Sequence, residues 1–150
     1  MGHKKTEVLM DYYATCLCQS VQLELSLPNA IEQYKPRACD CDFCQQHHLA
    51  YISDSDGTLR IEAKVELGFL KQGSGQASFV QCSQCEQVVA VTYKTEKELK
   101  GAVSAALFAG QYRLGQYQSA SPKLLSAQEK RERWATLWMS VVIEKSADAR

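Results

Sequence analysis

Seven cysteines fall in three short runs, Cys16-Leu17-Cys18, Cys39-Asp40-Cys41-Asp42-Phe43-Cys44 and Cys82-Ser83-Gln84-Cys85, and no other feature restricts the fold as much. Thiolates this close in sequence suit a metal ion. Structural zinc takes four ligands in a tetrahedron, and short knuckles supply them without a large core. A disulfide scaffold explains the spacing less well, because the count is odd and residues as close as Cys16 and Cys18 do not bridge easily. Nor does the N-terminal stretch carry the apolar segment and small-residue cleavage site of a secretory leader. Zinc is therefore the reading, with a redox dithiol or unrelated free thiols as the alternatives.

Cys82 and Cys85, two residues apart, form an ordinary knuckle. Cys16 and Cys18 are closer and share an ion if the chain turns sharply between them. Together these four make a closed structural zinc site joining an early hairpin to a late one. Cys39, Cys41 and Cys44 remain. Zinc on three protein ligands keeps one position for water or an incoming ligand, the arrangement of a catalytic site. A small thiol would suit that position, since zinc favours soft sulfur and lowers thiol pKa. His47 or His48 could instead close it and make a second structural site. Seven thiols could also regroup around two ions in other ways, and spacing alone leaves that open.

The surrounding sequence is that of a mainly β chain. Val21, Leu23, Leu25 and Leu27 alternate with Gln22, Glu24 and Ser26, the period of a half-buried strand. The first cysteine pair then sits in a hairpin connection between residues 8–14 and 21–27. Further strands are expected near 49–52, 58–62, 65–71, 77–81 and 87–95, the last rich in β-branched residues. Residues 101–110 form an apolar run that periodicity does not assign, and 115–122 read as a loop. Ser126 and Glu129 form a capping-box signature, and Trp134, Leu137, Trp138, Val141 and Val142 follow at helical spacing. A C-terminal amphipathic helix is expected over residues 127–144, its tryptophans packing over the sheet or serving a homo-oligomer contact.

The 150 residues are read as a single zinc-binding β domain, residues 1–150, with the cysteine motifs at 16–85. Lys plus Arg equal Asp plus Glu at 17 each, so no global field gathers nucleic acid or an acidic membrane. No stretch approaches the roughly 18 apolar residues of a membrane helix, and the protein reads as soluble and cytoplasmic.

With all seven cysteines in this order, the pattern resembles the glutathione-dependent formaldehyde-activating enzymes, a family that includes the centromere protein V group, over about residues 13–93. The resemblance implies a mainly β, Mss4-like zinc-bound sheet, with Cys16, Cys18, Cys82 and Cys85 matching the structural zinc ligands. It implies that Cys39, Cys41 and Cys44 match the ligands of the catalytic zinc. The activity implied is that of a carbon–sulfur lyase or related enzyme, acting on adducts of glutathione or another small thiol with an aldehyde. His47 and His48, and after them Asp42 and Asp40, are the candidate proton carriers, because an imidazole is poised near neutral pH. The family usually carries glycine after the second and the last cysteine, where this chain has Gln19 and Glu86. Asp40, Asp42 and Gln45 stand where it commonly has histidine, serine and arginine, and the two acids disfavour an anionic substrate. The alternative is a non-catalytic, zinc-stabilised module that binds a protein through Trp134 and Trp138.

Overall fold

The computed structural model describes residues 9–39, 49–71, 77–120 and 126–145. It opens with an antiparallel hairpin of β1 (Met10–Thr15) and β2 (Val21–Leu27). The alternation in β2 does what its period demands: Val21, Leu23, Leu25 and Leu27 are buried while Gln22 is exposed. Ser26, buried on the other face, donates its hydroxyl to Asp11 Oδ1 at 2.7 Å. A single 3-10 turn (Ile31–Gln33) follows, then β3 (Arg37–Cys39), β4 (Ala50–Ile52), β5 (Thr58–Ala63), β6 (Leu67–Lys71), β7 (Ser78–Cys82) and β8 (Val88–Lys94). β9 (Leu99–Ser104), the one-turn α1 (Ala106–Ala109), β10 (Gln118–Ala120), α2 (Ala127–Leu137) and β11 (Met139–Lys145) complete the order.

The described strands form one branched sheet. Its long path is β1-β2-β5-β11-β9-β4-β3-β10, and β8, β7 and β6 leave it at β9. One edge of β9 carries β8 from Val103 to Leu99, while the other is divided between β11, at Lys100 and Gly101, and β4, at Val103 and Ser104. Gly101 sits where β8, β9 and β11 meet. A Cβ there would lie 2.5 Å from the Val91 carbonyl oxygen and 2.9 Å from Val141 Cγ2, so only glycine lets the three strands close up.

Two layers of core follow from the alternation along β7, β8 and β9. Val80, Ala90 and Val103 face a large cluster with Leu23, Leu25, Ile61, Phe108 and Met139, while Phe79, Val91 and Ala102 face a smaller one capped by Trp138. Trp134 and Leu137 of α2 pack against that smaller cluster. Trp134 stacks on Trp138 at 4.9 Å and 12°, and approaches Tyr93 at 5.3 Å. Both tryptophans therefore pack within the chain.

Three expectations change. The helix expected over 127–144 forms its capping box, with Ser126 Oγ accepting from Glu129 N at 3.1 Å and Glu129 Oε1 from Ser126 N at 2.8 Å, but ends at Leu137. Met139–Lys145 is a strand, parallel to β5 and antiparallel to β9. The β-branched Val141, Val142 and Ile143 suit a sheet, and burial switches there to alternation, with Met139 and Val141 buried and Val142 exposed. The unassigned run 101–110 divides into the end of β9 and α1, and the loop expected at 115–122 contains β10, parallel to β3. No described helix is long and apolar enough to cross a membrane.

Candidate metal centre

Two hairpin turns, β1–β2 and β7–β8, bring Cys16, Cys18, Cys82 and Cys85 together, and they are built alike. In the first, Cys16 N donates to Val21 O at 3.0 Å and Gln19 N returns to Cys16 O at 3.0 Å. In the second, Cys82 N donates to Gln87 O at 3.0 Å and Glu86 N returns to Cys82 O at 2.9 Å. The residue after the second cysteine of each pair is left-handed, Gln19 at φ 66° and Glu86 at φ 65°; no other non-glycine residue among those described has positive φ. A side chain in that conformation costs roughly 1–2 kcal/mol, which is the physical sense of glycine at these positions in the family that the sequence resembles.

All four Sγ atoms lie within 4.8 Å of one another. Cys18 Sγ is 3.6 Å from both Cys16 Sγ and Cys82 Sγ. A tetrahedral ion with metal–sulfur bonds near 2.3 Å requires sulfur separations of about 3.8 Å, so the donor set fits one such ion. Cys16 and Cys82 are buried, Cys18 and Cys85 half-buried, and Leu17 between the first pair is 78% exposed. The backbone N–H groups of Gln84 and Cys85 approach Cys82 Sγ at 3.4 and 3.5 Å, aiming positive dipole ends at a sulfur that any bound metal would need as thiolate. Two glutamines brace the turns: Gln87 Oε1 accepts from Leu17 N at 2.8 Å, and Gln81 Nε2 donates to Glu86 O at 2.8 Å.

The four thiols do not share one acidity. Burial pushes Cys16 up to about 12 and also raises Cys82. Hydrogen bonding from Ser20 brings Cys18 down to about 6. Cys85 is raised by burial but lowered more by the backbone N–H groups of Gln87 and Cys18, and ends below its ordinary value. Two thiols of the cluster thus ionise readily and two resist ionisation, so a bound cation would have to displace the protons of the latter pair.

Cys39 ends β3, opposite Ala120 of β10. Cys41 and Cys44, with Asp40, Asp42, His47 and His48, lie outside the described residues, as does the side chain of Cys39. Where the sequence pointed to two metal centres, the described residues contain one cluster able to hold an ion. Ser20 and Gln87 were missed as parts of it. Ser20 directly follows the first left-handed turn, a signal available in sequence, but Gln87 acts on a residue 70 positions away and no local pattern announces it.

No curated protein matches this sequence. The family described as glutathione-dependent formaldehyde-activating enzyme matches it over residues 11–122. A crystal structure of a Rhodobacter sphaeroides protein is similar in fold, with a TM-score of 0.53 at 22% identity, over 71% of this chain and 100% of that one.

Proposed function

The chain belongs to the glutathione-dependent formaldehyde-activating enzyme family, and on that premise we propose that it is a carbon–sulfur lyase for adducts of glutathione, or another small thiol, with an aldehyde. The observation that carries the reading is a coincidence of two facts. The family match spans all seven cysteines, and the four outer ones already meet as a ligand set.

We assign zinc to Cys16, Cys18, Cys82 and Cys85 as a structural ion, in a Mss4-like sheet forming one domain that works in the cytoplasm. Cys39, Cys41 and Cys44 are assigned a second zinc. That ion would supply Lewis acidity and hold sulfur as thiolate. In the cleavage direction His47 or His48 would take the hydroxyl proton of the adduct at its imidazole nitrogen, with Asp42 as the next carrier. The electron pair of that O–H bond forms the aldehyde carbonyl, and the carbon–sulfur pair leaves with sulfur. In the forward direction the thiolate adds to the carbonyl carbon and the same imidazole returns the proton to oxygen. A module acting through the tryptophans gains nothing from the fold, since Trp138 is 9% exposed and Trp134 is stacked on it.

The test combines metal analysis with proton NMR of formaldehyde and glutathione at equilibrium, where enzyme accelerates exchange between free and adduct signals. Wild-type protein should hold about two zinc ions and catalyse exchange, and Cys44→Ser should hold about one and lose catalysis. Exchange no faster than in buffer, from fully metallated protein, would falsify the lyase reading.

A further inference from the structure

The four outer cysteines meet as one cluster but differ in access to solvent. Cys16 and Cys82 are buried, whereas Cys18 and Cys85 are half-buried, and Leu17 beside Cys18 projects from the first turn. Cys18 Sγ stands 3.6 Å from Cys82 Sγ, across 64 positions of sequence, and 3.6 Å from Cys16 Sγ, two positions away. An accessible sulfur of one hairpin thus touches a buried sulfur of the other. The bond from Leu17 N to Gln87 Oε1 holds the same two turns in place by protein contacts alone.

Cysteines that ligate a metal are already thiolates, so their oxidation is decided by access and by a neighbouring sulfur rather than by a change of charge state. Hydrogen peroxide reaching Cys18 takes the electron pair of its sulfur: an S–O bond forms, the O–O bond breaks and hydroxide leaves, giving a sulfenic acid. The Cys82 thiolate then attacks that sulfur, the S–O bond breaks with loss of a second hydroxide, and a disulfide joins the hairpins. Two thiolates are oxidised by two electrons and one peroxide is reduced by the same two. Cys16 is the poorer resolving thiol, because a bridge between residues two positions apart is strained. A bridge between Cys82 and Cys85 would stay within one turn and leave the hairpins unjoined.

We propose that the outer cluster is a peroxide-sensitive joint: Cys18 is the residue oxidised, Cys82 resolves it, and their disulfide replaces the metal as the link between the β1–β2 and β7–β8 turns. The proposal rests on the assignment of an ion to the four outer cysteines and is independent of the lyase reading. Cys16 and Cys85 alone remain as thiolates, too few for the four-ligand site of structural zinc. Metal therefore leaves on oxidation while the fold persists, since the new bridge spans 64 positions and restrains the unfolded chain far more than a bridge within either turn.

The deciding experiment treats zinc-loaded wild type and Cys44→Ser with excess hydrogen peroxide, removes the peroxide with catalase, alkylates the free thiols and maps disulfides by fragmentation mass spectrometry, with released zinc read by a chromogenic chelator. Cys18–Cys82 should be the principal bridge in both proteins, and Cys44→Ser should release about one zinc ion per chain. Oxidised protein should keep its unfolding midpoint in EDTA, where reduced protein loses it, and dithiothreitol with added zinc should reverse both changes. Mapping of the wild type alone decides the pairing if Cys44→Ser fails to fold. A principal bridge within one turn, to the 39–44 motif or between chains, sulfinic acid without a bridge, or unfolding as the metal leaves overturns the joint. A Cys18–Cys82 bridge in a Cys44→Ser protein that holds no zinc when reduced upholds the redox link and overturns the structural-zinc assignment instead.

Discussion

The side-chain oxygen of Gln87 accepts a hydrogen bond from the backbone N–H of Leu17 at 2.8 Å, across 70 residues of sequence. Through it the β7–β8 turn holds the exposed tip of the β1–β2 turn in place, whatever occupies the space between the sulfurs. Gln87→Ala should cost about 1 kcal/mol of stability, the net value of one such bond, and speed metal loss to a chelator. Unfolding and chelator-competition measurements check both. A variant with wild-type stability and unaltered metal release would show that the bond does not brace the cluster.

Gln19→Gly and Glu86→Gly should each raise stability by about 0.5–1 kcal/mol, since glycine removes the left-handed penalty at the cost of a more flexible unfolded chain. Both residues have positive φ and each donates its N–H back to the first cysteine of its pair. Denaturant unfolding of the metallated protein reads the change. A loss of stability in both variants would mean that their side chains contribute something the turns do not reveal.

In metal-free protein, Cys18 should be alkylated by iodoacetamide at pH 7.5 well before Cys16, because hydrogen bonding from Ser20 lowers the first to about 6 while burial raises the second to about 12. The signs also set a stability profile. Cys18 is depressed below its ordinary 9.0, so its contribution is present above pH 9 and is lost as pH falls through about 6. Cys16 is raised above 9.0, so its contribution is present below pH 9 and is lost as pH rises through about 12. Together these two thiols favour the metal-free fold most near pH 9. Mass spectrometry of labelled peptides gives the order, and Cys18→Ser should flatten the rise in stability between pH 6 and 9; an equal slope in that variant contradicts the assignment.

Gly101→Ala should destabilise the protein by about 1–3 kcal/mol, the cost of forcing a methyl group into a packed core. The added carbon would meet the Val91 carbonyl oxygen at 2.5 Å, a backbone atom that cannot rotate aside. Thermal unfolding of the variant is the check, and a melting temperature within a degree or so of wild type would mean the three strands separate more easily than their packing indicates.

The cysteine pairs, the hairpins around them and the strand character of the first two-thirds were legible because thiol spacing and period-2 alternation are local signals. What failed was any feature whose cause lies across the sheet. Val141 and Val142 continued the spacing of Trp134, Leu137 and Trp138, so helical periodicity ran on past Leu137, yet β5 and β9 leave a gap that only a strand can fill. Gln118–Ala120 carried no strand signal at all, because its partner β3 lies some eighty positions earlier in the chain. The cluster itself was half readable. Spacing marked the two knuckles but left open which thiols share an ion; Ser20 acts locally on Cys18, whereas Gln87 joins the cluster only once two distant hairpins face each other.

The place of β11 has a consequence for how the molecule is made. On a ribosome, β1, β2 and β5 emerge early, yet β5 lacks its second neighbour until residues 139–145 arrive, and the part of β9 at Lys100 and Gly101, beyond the reach of β4, waits for the same segment. Until then a strand edge stays unpaired in the nascent chain, inviting association between copies at exactly the stage when chains are crowded on a polysome. The two cysteine hairpins, complete by Lys94, can meet beforehand, so metal supply during synthesis would decide how much of the sheet is already held when β11 leaves the exit tunnel.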